Sequence, residues 1–169
     1  MAKLSVKAIL SSKTLCTASL LICATTANLA VAADEHNVAP GLTAAGAPLG
    51  LHGVDPVAAI TRGSVSEGLA SFTSTHDGVA YYFSDAATQT EFEKNPAQYV
   101  PQNGGFCTFG VSVGKKFDGD PNFASIVNGK LYVFLNEEIY QLYLKDEAGT
   151  IAKAEAQWQE IEHTAATAL

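Results

Sequence analysis

Phe123-Ala124-Ser125-Ile126-Val127-Asn128-Gly129-Lys130-Leu131-Tyr132-Val133-Phe134-Leu135-Asn136 is the stretch that decides the fold. A two-residue hairpin turn needs positive φ at its central residues, and Asn-Gly reaches that region at the least steric cost. Apolar, β-branched and aromatic residues flank the pair, which predicts an antiparallel hairpin with strands over 123–127 and 130–135. Asn136 then suits a helix N-cap, with Glu137 and Glu138 at the positive end of the following helix.

The same signals recur upstream. Residues 70–74 and 79–84 flank Thr75-His76-Asp77-Gly78, a second hairpin turn, and Tyr81, Tyr82 and Phe83 favour strand. Ser84 or Asp85 caps a helix expected through Phe92 to Asn95. Asp55 followed by Pro56 opens another short helix, because the carboxylate accepts an orphan N–H and proline has none to waste. Phe106 to Gly114 reads equally as strand or short helix, and 152–161 carries a last helical pattern with Ala154, Trp158 and Ile161 on one face. Two antiparallel hairpins interleaved with short helices predict a small, single α+β domain. No internal repeat is evident in the residues themselves.

The ends of the chain are of different character. Lys3, Lys7 and Lys13 precede an apolar stretch from Leu15 to Ala32, which ends in Ala30-Val31-Ala32-Ala33 and turns polar at Asp34. A positive end, an apolar middle and a small-residue exit are the demands of a secretory signal, so residues 1–33 are expected to be removed on export to a periplasmic or extracellular space. No stable membrane insertion is expected afterwards. Residues 34–48, rich in Ala, Gly and Pro, read as a flexible linker or arm, 49–162 as the domain, and 163–169 as a frayed C-terminus.

The full chain of 169 residues carries a formal charge of −7, and 47% of its residues are hydrophobic. Losing the three signal lysines leaves seven basic side chains against seventeen acidic ones, about −10. Such a charge repels phosphate backbones, which excludes nucleic acid as a partner and disfavours anionic membrane surfaces. Cys16 and Cys23 also leave with the signal, so Cys107 is the only cysteine of the remaining chain. Alone in an oxidising compartment and bracketed by Gly104-Gly105-Phe106 and Thr108-Phe109-Gly110, it has three readings. It is a buried inert thiol, a soft metal ligand or a redox nucleophile.

Other motifs are weaker. Gly110-Val111-Ser112-Val113-Gly114 matches the G-x-S-x-G elbow literally, but a loop follows it and only His163 lies downstream. Asp118-Gly119-Asp120 lacks the register and distal Glu of a calcium loop and reads as a turn. His36, His52, His76 and His163 show no metal-ligand spacing. His52, just before the Asp55 cap, is the histidine best placed for a ligand role.

The residues also resemble a known family. Leu51-His52-Gly53-Val54-Asp55-Pro56-Val57-Ala58, Tyr82-Phe83-Ser84, Gly104-Gly105-Phe106-Cys107, Gly114-Lys115-Lys116-Phe117, Asp120-Pro121 and Asn128-Gly129-Lys130-Leu131-Tyr132 are together similar to the YHS-domain proteins. The order of motifs resembles their exported (seleno)protein branch, from about Leu49 to Ile161. The chain departs from the pattern at Phe83, where the histidine of Tyr-His-Ser is missing, and at Val54 and Asn103, where tyrosines are usual. The resemblance implies a small α+β fold related to metal-handling modules, and a position matching Cys107 that holds selenocysteine in some members. From it follows the expectation of an exported metal-binding module, with Cys107 as thiolate ligand for copper or zinc, His52 as second ligand and Asp55 as third. A thiol-redox protein with Cys107 as nucleophile is the alternative from the enzyme class. A non-catalytic domain that binds an exported protein partner, with Cys107 structural, is the other.

Overall fold

The computed structural model describes residues 35–169, so the signal sequence expected at 1–33 lies outside the described residues. The elements run α1 (Pro56–Arg62), β1 (Leu69–His76), β2 (Val79–Phe83), α2 (Ala86–Lys94), α3 (Pro96–Tyr99), α4 (Thr108–Ser112), β3 (Asp120–Val127), β4 (Lys130–Phe134), α5 (Glu137–Tyr143) and α6 (Glu147–Ile161). Short 3-10 turns sit at Leu51–Gly53, Gln102–Gly105 and Ala166–Ala168. The sheets are two separate antiparallel hairpins, β1–β2 and β3–β4. The α+β expectation therefore holds, and the ambiguous stretch from Phe106 to Gly114 becomes the short helix α4.

The chain is built from one unit used twice. Each unit opens on three successive residues in the left-handed region: Leu51, His52 and Gly53 at φ 50, 51 and 82°, then Asn103, Gly104 and Gly105 at 53, 60 and 81°. An extended residue and a cap follow, Val54-Asp55 before α1 and Phe106-Cys107 before α4. Asp55 N donates to Ser66 O and Cys107 N to Phe117 O, both at 2.9 Å. Fifty-one residues separate the two hairpins, and their pairings correspond throughout: Leu69↔Phe83 and His76↔Val79 in one, Asp120↔Phe134 and Val127↔Lys130 in the other. Both ladders slip at the same place, between Leu69 and Thr73 and between Asp120 and Ala124. Asp77-Gly78 and Asn128-Gly129 turn with positive φ at both residues, and Asp85 and Asn136 cap the helices that follow.

Each half has its own aromatic core in matching positions. In the first, Tyr81 and Phe83 pack on Phe92 of α2 with ring centroids 5.3 and 5.0 Å apart. In the second, Phe134 stacks on Tyr143 of α5 at 4.2 Å, beside Tyr132 and Cys107. Leu51 and Val54 of the first half pack against Leu131 and Val133 of β4, which joins the two. Helix α6 starts where α3 starts in the first half, after a cap residue of matching backbone (Asn95 at φ −154°, Asp146 at φ −155°), but runs for 15 residues instead of four. Ala154 and Ile161 pack on Phe106 and Val111 and close the second core.

The segments expected to be loose are tied down. Within the stretch read as a flexible arm, Ala39 N donates to Leu49 O at 2.8 Å, Ala80 N donates to Pro48 O at 2.8 Å, and Asn37 N donates to Gly104 O at 2.8 Å. The C-terminal stretch is held by Lys116, nearly buried, whose Nζ donates to Glu162 O and Thr164 O at 2.8 Å each. Lys115 Nζ donates to Leu169 O. Among the described residues no helix is long and apolar enough to cross a membrane.

Candidate functional site

The repeated unit places Asp55 and Cys107 at one and the same structural position, each the N-cap of the first helix of its half. In the first half the backbone turn surrounds a carboxylate. Asp55 Oδ1 accepts from Val57 N and Ala58 N at 2.9 Å, and Oδ2 from Ser84 N at 2.8 Å and Ser84 Oγ at 2.7 Å. The side chain is fully buried, and four donors compensate its lost hydration. With both oxygens so engaged, Asp55 fits a positioning role, fastening α1 to the end of β2, and does not fit the third metal ligand expected of it.

In the second half the same turn surrounds a thiol. Gly110 N donates to Cys107 Sγ at 3.4 Å, and the N–H groups of Leu135 and Phe109 face the sulfur as well. Leu135 stands where Ser84 stands in the first half, but offers no hydroxyl. Cys107 is 1% exposed, against Tyr132, Phe134 and Tyr143. Burial pushes the thiol above its ordinary value; the three N–H groups oppose that shift without overcoming it, and the Asp118 charge adds to it. The sulfur is therefore held as a neutral thiol at pH 7.

His52, the expected second ligand, turns outward. Its Nε2 lies 2.9 Å from Asp118 Oδ1, and both side chains are substantially exposed. Burial raises the Asp118 carboxyl, but hydrogen bonds from Asn37 and His52 and the nearby imidazole outweigh it and hold the group below its usual range. Asp118-Gly119-Asp120, read as a turn, thus ties the 35–50 segment and the 51–53 turn to the second half through Asn37 and His52. Cys107, His52 and Asp55 are not brought together. Among the described residues no group of three His, Cys, Asp or Glu side chains is placed to hold a metal ion.

The literal G-x-S-x-G ends α4, where Ser112 Oγ donates to Phe109 O at 2.7 Å, and His163 pairs with Glu35 at 2.7 Å. Neither forms part of a nucleophile–base pair. Sequence reasoning missed the equivalence of Asp55 and Cys107. The signal available was the shared 51-residue spacing of Asp77-Gly78 and Asn128-Gly129 and of Asp85 and Asn136. It also missed a surface groove beside Trp158, whose residues are scattered over three segments.

No family model matches the chain, and no curated protein or solved structure matches it either.

Proposed function

We propose that the chain is an exported, non-catalytic binding domain in which Cys107 is a buried capping thiol. The observation that carries this reading is the repeat itself: Cys107 fills the cap position that Asp55 fills in the first half, at 1% exposure. A nucleophilic thiol needs access and a depressed pKa, and burial drives this one the other way. That weighs against the redox alternative. The signal-like pattern of residues 1–33 and the resemblance to exported YHS-domain proteins support a role outside the cytoplasm.

A second reading, Cys107 as a soft-metal ligand, draws on the three N–H groups around the sulfur. They would favour a thiolate once a copper ion displaced the proton, since metal coordination deprotonates a thiol outright. His52 would have to leave Asp118 to join it. The deciding experiment is competitive titration of copper(I) and zinc into the wild-type protein and Cys107→Ala. Equal affinities support the capping role, whereas tight copper binding lost in the variant establishes the metal module instead.

A further inference from the structure

A surface groove of about 550 Å³ lies between the 102–105 turn and α6, away from the cap thiol's own contacts. Gln102 and Asn103 form one side, Trp158 and Gln159 the other, and Lys130 and Glu155 the end. A groove of this size is within the range that holds small ligands.

Three features give it a chemical character. The first is a fixed flat wall. The Trp158 ring packs 6.2 Å from Phe106, and Lys116 Nζ sits 5.2 Å from the centroid of each, so the indole is braced from behind. The second is an unpaired acceptor. Asn103 is 7% exposed and held at φ 53°, and its Oδ1, itself covered from solvent, has no hydrogen-bond partner, so a ligand meets it only when the carboxamide turns toward the groove. Buried polar atoms are nearly always paired, so an unpaired one marks a place that a ligand group can fill. The third is a balance of donors and acceptors. Lys130 Nζ stands 3.8 Å from Glu155 Oε1, which also receives a long contact of 3.5 Å from Tyr132 OH. The Gln102 and Gln159 amides make no side-chain hydrogen bond among the described residues.

These features select among ligand classes. Glu155 and the acidic chain disfavour a phosphate, and the polar lining disfavours a purely apolar molecule. A ring that is apolar on one face and carries hydroxyls on its rim answers all three, because each hydroxyl both donates and accepts. We propose that this groove binds a pyranose unit of a carbohydrate, its C–H face on Trp158 and a ring hydroxyl donating to Asn103 Oδ1 as the carboxamide turns outward to meet it. The inference is independent of the role given to Cys107.

Trp158 is the only tryptophan in the chain, so its fluorescence reports on the groove alone. Glucose, galactose, N-acetylglucosamine and their β1,4-linked dimers are titrated into the protein. At least one should give a saturable emission change, with half-saturation near about 1 mM. Asn103→Gly suits the left-handed backbone while removing the carboxamide, and Gln159→Ala trims an α6 side chain that makes no hydrogen bond of its own. Each should raise the half-saturation by about fivefold, the loss of one hydrogen bond, with urea melts confirming that both variants fold. Cys107→Ser should leave the titration unchanged, which separates this test from that of the capping thiol. No saturable change with any of these sugars, or one that Asn103→Gly and Gln159→Ala leave intact, overturns the proposal.

Discussion

Asp55 and Cys107 occupy equivalent places in two copies of one backbone unit, yet they are stabilised in opposite ways. The first half surrounds an anion with four donors, two from the start of α1 and two from Ser84. The second half keeps the turn, exchanges Ser84 for Leu135, and surrounds a neutral sulfur with aromatic rings. The same N–H geometry is thus compatible with a charged cap or an uncharged one, and the neighbouring side chains decide which. A thiol at a helix start is commonly read as activated. Here desolvation outweighs the backbone donors, and the sulfur is closer to a small hydrophobe than to a nucleophile.

The comparison can be broken most easily at Asp55. Asp55→Ala leaves Val57 N, Ala58 N and Ser84 N–H and O–H without their acceptor, and should cost roughly 3–5 kcal/mol in urea unfolding. Cys107→Ala removes a weak acceptor and a small apolar volume, and should cost about 1–2 kcal/mol. A larger loss at Cys107 than at Asp55 would reverse the assignment of charged and neutral caps. The turns supply a control in which the halves should agree. Gly78 and Gly129 stand at φ 77 and 74°, so Gly78→Ala and Gly129→Ala should each cost about 1 kcal/mol, within a few tenths of one another.

Alkaline pH sharpens the comparison further. The buried Cys107 thiol binds its proton more tightly in the folded chain than in the unfolded one. Its contribution is therefore complete below the ordinary thiol value of about 8.5 and is lost as pH rises through the elevated one. The stability advantage of wild type over Cys107→Ala should be flat from about pH 6 to 8 and shrink above about pH 9. Tyr132 and Tyr143, raised by burial above the ordinary tyrosine value of about 10, titrate above that window. The smallest effect belongs to the exposed pair that links the halves. Asp118→Asn should cost less than about 1 kcal/mol at moderate salt, because water screens the His52 contact.

Much of the fold was legible because its signals are local. Asp77-Gly78 and Asn128-Gly129 specify tight turns through backbone φ alone, and the Asp55 and Asn136 caps, with Asp85 as one of two candidates, are legible because capping needs only a short acceptor and a free N–H. The repeat was harder to see, since its halves share backbone geometry with few identical side chains. His52 answers Gly104, Ser84 answers Leu135, and Asp55 answers Cys107. The 34–48 composition suggested looseness, but Asn37 N donates to Gly104 O and Pro48 O accepts from Ala80 N, partners on distant segments that composition does not encode. For the same reason His52 and Asp55 looked like companions of Cys107. Their actual partners, Asp118 and Ser84, lie 66 and 29 residues away from them.

The most direct test of the capping role is the rate at which Cys107 reacts with a thiol reagent such as DTNB in the folded protein, compared with the urea-unfolded chain. A capping thiol predicts labelling slowed by at least about a thousandfold, with a rate that follows the unfolding free energy as urea is added, because only opening exposes the sulfur. Rapid labelling of the folded protein, at a rate near that of the unfolded chain and insensitive to urea, would contradict it and return Cys107 to the ranks of reactive or ligating thiols.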